Sequence, residues 1–127
     1  MKTIILLFSL LIFNALSANP QIILVDGYYF NENMELFSGV QTEYFDNGNI
    51  HQEIAIKNGL KDGESKIYFE DGTLNEIRSY TKGEMDGTWI TWTEDNIKLS
   101  VANYKNGQKH GEWNLWNENG DLLFEMT

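Results

Sequence analysis

The chain has 127 residues and a net charge of −10, from 19 acidic against 9 basic side chains. That length allows one domain with a modest core, and the charge excludes a general nucleic-acid binder, which needs clustered Lys and Arg against phosphates. The same acidity disfavours an anionic membrane surface, and the absence of cysteine excludes disulfides, thiolate zinc sites, Cys nucleophiles and a lipid-modified Cys.

The N-terminus comes first. Met1 and Lys2 precede a nearly unbroken apolar run over residues 4–13, and residues 14–18 are mostly small, with Ala15, Ser17 and Ala18. This layout predicts a signal peptide over residues 1–18, cleaved after Ser17 or Ala18, and an exported, periplasmic or secreted product. The run is short for a bilayer span; left uncleaved, it would anchor the chain to the membrane. Residues 19–38 read as a capping hairpin. Ile22 to Val25 and Tyr28 to Phe30 are apolar strands around an Asp-Gly turn at 26–27. Phe30, Asn31, Glu32 and Asn33 echo Trp116, Asn117, Glu118 and Asn119, and Leu36 falls where Leu122 does.

From residue 39 the chain keeps a period. Gly39, Gly63, Gly87 and Gly111 stand 24 residues apart, and every later glycine falls nine or twenty residues into a unit. In the third unit Asn96 fills a glycine slot, and Asn is the side chain that best tolerates positive φ. Self-similarity at a fixed period signals a tandem repeat: 39–62, 63–86, 87–110 and a partial 111–127. Asn-Gly and Asp-Gly pairs supply hairpin turns, at 47–48, 71–72 and 119–120 toward one end and at 58–59, 62–63, 86–87 and 106–107 toward the other. In the second unit the predicted strands are 64–69 and 74–80, with 82–87 returning the chain. No run has helical periodicity with caps. The expected fold is all-β, an elongated antiparallel β-meander of stacked hairpins, each unit adding about 10 Å to the sheet.

Tyr44, Tyr68, Trp92 and Trp116 stand five residues after the unit glycine, and Ile56, Tyr80 and Tyr104 seventeen after it. Both sets are expected to form ladders, like residue over like. Gln41, Ser65, Trp89 and Trp113, two after the glycine, point to the face opposite the first set. The four tryptophans lie between residues 89 and 116, at matched positions of adjacent units. Trp89, Trp92, Trp113 and Trp116 are therefore the candidate partner-binding residues, as an aromatic platform. Cross-strand aromatic pairs also stabilise sheets, and the two roles can occupy one face each.

The unit Gly63…Tyr68…Gly72…Tyr80…Gly83…Gly87 resembles the MORN-repeat variant, over about residues 28 to 127. The resemblance implies an elongated single-layer β scaffold for protein or lipid contacts. Short bacterial proteins of this kind are grouped as antitoxin-like components of toxin–antitoxin systems.

Catalytic chemistry has no seat in the sequence. His51 and His110 have no second His at ligand spacing, and His110 stands in the turn slot of Asp62 and Asp86. The Asp/Asn stretches at 46–49 and 117–121 lack the spaced acidic ligands of a calcium loop. No serine sits in a nucleophile elbow, and no phosphate or dinucleotide fingerprint occurs. The expectation is a non-enzymatic protein without cofactor or metal. Three roles compete: an exported interaction module with a protein partner, an antitoxin-like inhibitor, and a self-associating envelope protein that pairs through the edge strand at 122–127.

Overall fold

The computed structural model describes residues 21–127; the predicted signal segment, residues 1–18, lies outside the described residues. Among those described there is no helix. A two-stranded sheet is made by β1 (Ile23–Val25) and β2 (Tyr28–Phe30), antiparallel, with Leu24 opposite Tyr29. The larger sheet holds β3 (Gly39–Tyr44), β4 (Ile50–Lys57), β5 (Leu60–Tyr68), β6 (Leu74–Thr81), β7 (Glu84–Met85), β8 (Gly87–Trp92), β9 (Lys98–Lys105), β10 (Gln108–Lys109), β11 (Trp113–Trp116) and β12 (Leu122–Met126). Its main path runs β12-β11-β9-β8-β6-β5-β4-β3, with β7 beside β6 and β10 beside β9. Along that path chain order is kept and neighbours are antiparallel, because only short connections join them.

The turns repeat in detail. Phe45, Phe69, Thr93 and Asn117 each donate their N–H to the carbonyl four residues on, and each accepts from the N–H three residues on. Asn96 carries that second N–H in the third unit and has φ 61°, so it takes the glycine conformation expected of it. At the opposite edge, Gly59, Gly83 and Gly107 donate back to Phe37, Lys61 and Met85 of the preceding unit. The N-terminal echo holds at the same resolution. Asn31 donates to the Glu35 carbonyl at 2.9 Å as Asn117 does to Asp121 at 3.0 Å, and Phe30 bridges Leu36 as Trp116 pairs with Leu122.

One sequence expectation needs correcting. The Asp-Gly pairs at 62–63 and 86–87 are not turns. At that edge of the sheet the tight turns lie at 58–59, 82–83 and 106–107, and β5 runs on through Gly63. There the chain makes an in-strand irregularity: Ile54 pairs with Ser65 and Ile56 with Lys61, so β5 spends two more residues than β4 over the same stretch. The same step breaks β7 from β8, where Tyr80 pairs with Met85 and Ile77 with Ile90. An even insertion preserves which face each side chain takes, whereas an odd one would flip it. A one-residue shift does occur at the other end of every hairpin, between Glu43/Tyr44, Ile67/Tyr68, Thr91/Trp92 and Leu115/Trp116. These bulges recur every unit and add local twist.

The sheet is a single layer, so its core is small. Among the described residues the buried hydrophobics are Tyr29, Ile54 and Ile56, where the β1–β2 hairpin packs on β4 together with Ile22 and Phe37. Tyr29 donates its N–H to the Gly59 carbonyl and accepts from the Phe37 N–H, which fixes the hairpin there. Burial pushes the Tyr29 hydroxyl above its ordinary pKa. The rest of the sheet keeps its aromatic rows half-buried, open to both sides.

Candidate interaction surface

The tryptophans divide into two sets. On one face, Tyr80, Trp89, Tyr104 and Trp113 form a continuous run of ring contacts, with centroids 5.6, 5.0 and 5.0 Å apart and tilted or edge-on planes. The touching rings therefore alternate between the positions seventeen and two residues after the unit glycine. The expectation of like over like fails for a metric reason. Equivalent residues lie two strands apart, roughly 10 Å, beyond ring contact, and the intervening strand supplies the ring that fills the gap. Glycine makes room for this: Gly87 is the register partner of Tyr104, and Gly63 of Tyr80. With no side chain opposite, each Tyr ring can lean to its diagonal neighbour, which for Tyr104 is Trp89.

Both indoles of this face are spoken for. Trp89 donates Nε1–H to the Ser79 carbonyl at 3.1 Å, and Trp113 donates to the Asn103 carbonyl at 2.8 Å, the same bond one unit on. Three cations cover the rings: Lys61 over Tyr80 at 5.0 Å, Arg78 over Trp89 at 5.2 Å and Lys109 over Trp113 at 4.5 Å. Arg78 also forms a bidentate pair with Glu76, which raises its pKa. Burial, with Arg78 nearby, lowers that of Lys61. Trp89 and Trp113 thus knit the units together.

Trp92 and Trp116 take the other face, since three residues separate each from its partner tryptophan. Tyr68 belongs to this row and donates its hydroxyl to Glu53 Oε2 at 2.8 Å. Desolvation, and then that hydrogen bond, push its pKa up to about 12. Beside Trp92 the sheet edge opens into a groove of about 420 Å³, with Phe69, Ile97 and Leu99 and the acidic residues Glu94, Asp95 and Glu118 among its lining. The acids come from the repeat itself: the position seven after the unit glycine is Asp46, Glu70, Glu94 and Glu118 in turn.

Turn chemistry changes from unit to unit along this edge. In the first turn Asn47 and Asn49 both donate side-chain amides to the Glu70 carbonyl, at 2.9 and 2.8 Å, and so lash it to the second. In the second turn the same positions are Asp71 and Thr73, which bond each other instead: Thr73 donates both N–H and Oγ1–H to Asp71 Oδ1. Those bonds lower the Asp71 pKa. Sequence reading missed the groove because its lining is drawn from three successive units at once, which a period does not display.

Of the other expected features, His51 packs its ring on Phe45 at 4.5 Å. His110 donates its N–H to the Asn103 carbonyl as Asp86 does to Ser79, so the two share a slot, but as at 62–63 and 86–87 that slot is not a hairpin turn. Among the described residues no three His, Asp or Glu side chains gather at metal-binding reach, and no helix is long and apolar enough to cross a membrane.

Comparison with known proteins gives one finding. Residues 37–58, 61–82 and 109–127 match the model of the MORN repeat variant. The matched segments start in one phase of the 24-residue period, and the unit skipped between 82 and 109 is the one with Asn96 in place of glycine. No curated protein and no solved structure matches.

Proposed function

We propose that the MORN-variant repeats of this chain are an exported, non-enzymatic scaffold that holds a protein partner in the envelope or outside the cell. The observation that carries this is the thinness of the sheet. Three hydrophobic residues are buried among those described, while an aromatic row remains within reach of solvent on each face. An enzyme needs a water-excluding cleft with convergent polar groups; a repeat ribbon offers an extended contact surface instead. Export is supported by the basic start, the apolar run at 4–13 and the small residues before 19.

The test is capture from an envelope extract by protein lacking residues 1–18, with intact-mass measurement of the exported product. A partner retained by wild type and lost with Trp92→Ser is the expected result. Retention of nothing, or of the same proteins by a variant altered on both faces, overturns it. A full-length mass overturns export. Self-association is a second reading, favoured by the outer strand β12, where Leu122, Leu123 and Phe124 are 51%, 61% and 51% exposed; a monomer at high concentration in light scattering removes it. The antitoxin-like role would require a toxic neighbouring gene product rescued by co-expression.

A further inference from the structure

We infer that the groove over Trp92 receives a cationic side chain, lysine or arginine, from an extended stretch of the partner; this rests on the scaffold reading above. An indole face attracts a cation through its quadrupole, and an apolar floor beside it accommodates the methylene stem of Lys or Arg while the head stays at the rim. Three acidic residues line it: Glu94 and Asp95 come from one turn and Glu118 from the next. The chain supplies one cation close by, Lys98, the register partner of Trp92; it is exposed and does not line the cavity. The chain contains its own control. The sister groove one unit earlier, about 320 Å³ beside Tyr68, is lined by Gly48, Asn49, Ile50 and Gly72, with no carboxylate. Both have an aromatic wall, but carboxylate residues line only the Trp92 groove; the one on Tyr68, Glu53, is held by its hydroxyl and does not line the sister groove.

The experiment is NMR titration of protein lacking residues 1–18 with Gly-Lys-Gly, its ε-acetylated form and Gly-Glu-Gly, following the Trp92 indole resonance assigned through Trp92→Phe. The expected result is a saturable shift at Trp92 and Leu99 with the lysine peptide alone, little change at Tyr68, and binding weakened about fivefold or more by Glu94→Gln with Glu118→Gln. Glu84→Gln, at the opposite edge, leaves it unchanged. Glu94 and Glu118 are exposed turn residues, so an unchanged spectrum elsewhere certifies the fold. Equal shifts with the acetylated or glutamate peptide, or shifts spread evenly over the acidic surface and indifferent to the double variant, overturn the inference. If the double variant still captures the partner from extract, this inference fails and the scaffold reading stands. If wild type captures nothing, the scaffold reading fails whatever the peptides do.

Discussion

Tyr104 is the position where the ring ladder can be broken with the clearest expected cost. Its ring lies 5.0 Å from Trp89 on one side and 5.0 Å from Trp113 on the other. Truncation to alanine removes both contacts, each contributing about 0.5–1.5 kcal/mol beyond area burial. The side chain is half-buried, so roughly 100 Å² of apolar surface also returns to water, costing about 2.5 kcal/mol at about 25 cal/mol per Å². Tyr104→Ala should therefore destabilise by about 3.5–5.5 kcal/mol, a large share of the roughly 5–15 kcal/mol typical of a domain. Tyr104→Phe keeps both ring contacts and should stay within about 0.5 kcal/mol. Urea unfolding followed by tryptophan fluorescence is the assay, because all four tryptophans report units three and four. Each unit touches only its neighbours, so in Tyr104→Ala the fluorescence midpoint should fall further than the circular-dichroism midpoint of the whole sheet. A loss under about 1 kcal/mol would refute the claim that the ladder joins these units.

Two further outcomes follow from the geometry. The folded pKa of Tyr68, at about 12, lies above its ordinary 10.0, so the neutral hydroxyl is the favoured form. Its contribution to stability is fully present below pH 10.0 and lost as pH rises through about 12. Tyr68→Phe should flatten stability across that window, and near-UV tyrosinate absorbance should show one fewer late-titrating group than wild type, Tyr29 staying raised in both. Gly87 has φ 100°, and a Cβ there would stand 3.0 Å from the Ser79 Cβ. Gly87→Ala should cost about 2–3 kcal/mol in thermal melts, against about 1 kcal/mol for Gly72→Ala, whose Cβ would meet open space.

The architecture was legible because it depends on quantities a sequence displays: a period, and residues that tolerate positive φ. Asn96 was identified as a glycine substitute from its slot alone, and the kinship of Asn31 with Asn117 survives to the level of individual hydrogen bonds. The errors have a common source. A pattern says that Gly63 needs an unusual conformation, but not whether that conformation closes a turn or steps within a strand. The deciding fact is the pairing of Ile54 with Ser65 and Ile56 with Lys61, which is set by the neighbouring strand. Likewise, periodicity places Trp89 and Trp113 in one row, but only the roughly 10 Å between alternate strands shows that a Tyr must stand between them.

The four tryptophans look like one cluster in the sequence, and their separation follows from parity. Trp89 and Trp92 are three residues apart, an odd number, so a strand must send them to opposite faces. The even insertion at Gly63 and its equivalents keeps that assignment the same from unit to unit. One face can then be closed by internal bonds: indole N–H to carbonyl, ring to ring, cation over ring. The opposite face does not have to supply that cohesion. Its variation is free to follow local turn chemistry, as when Asn47 and Asn49 give way to Asp71 and Thr73 and adjacent turns lose a shared anchor. A repeat that stabilises itself on one face is able to diversify on the other, and a recognition surface is then expected where the units differ rather than where they agree.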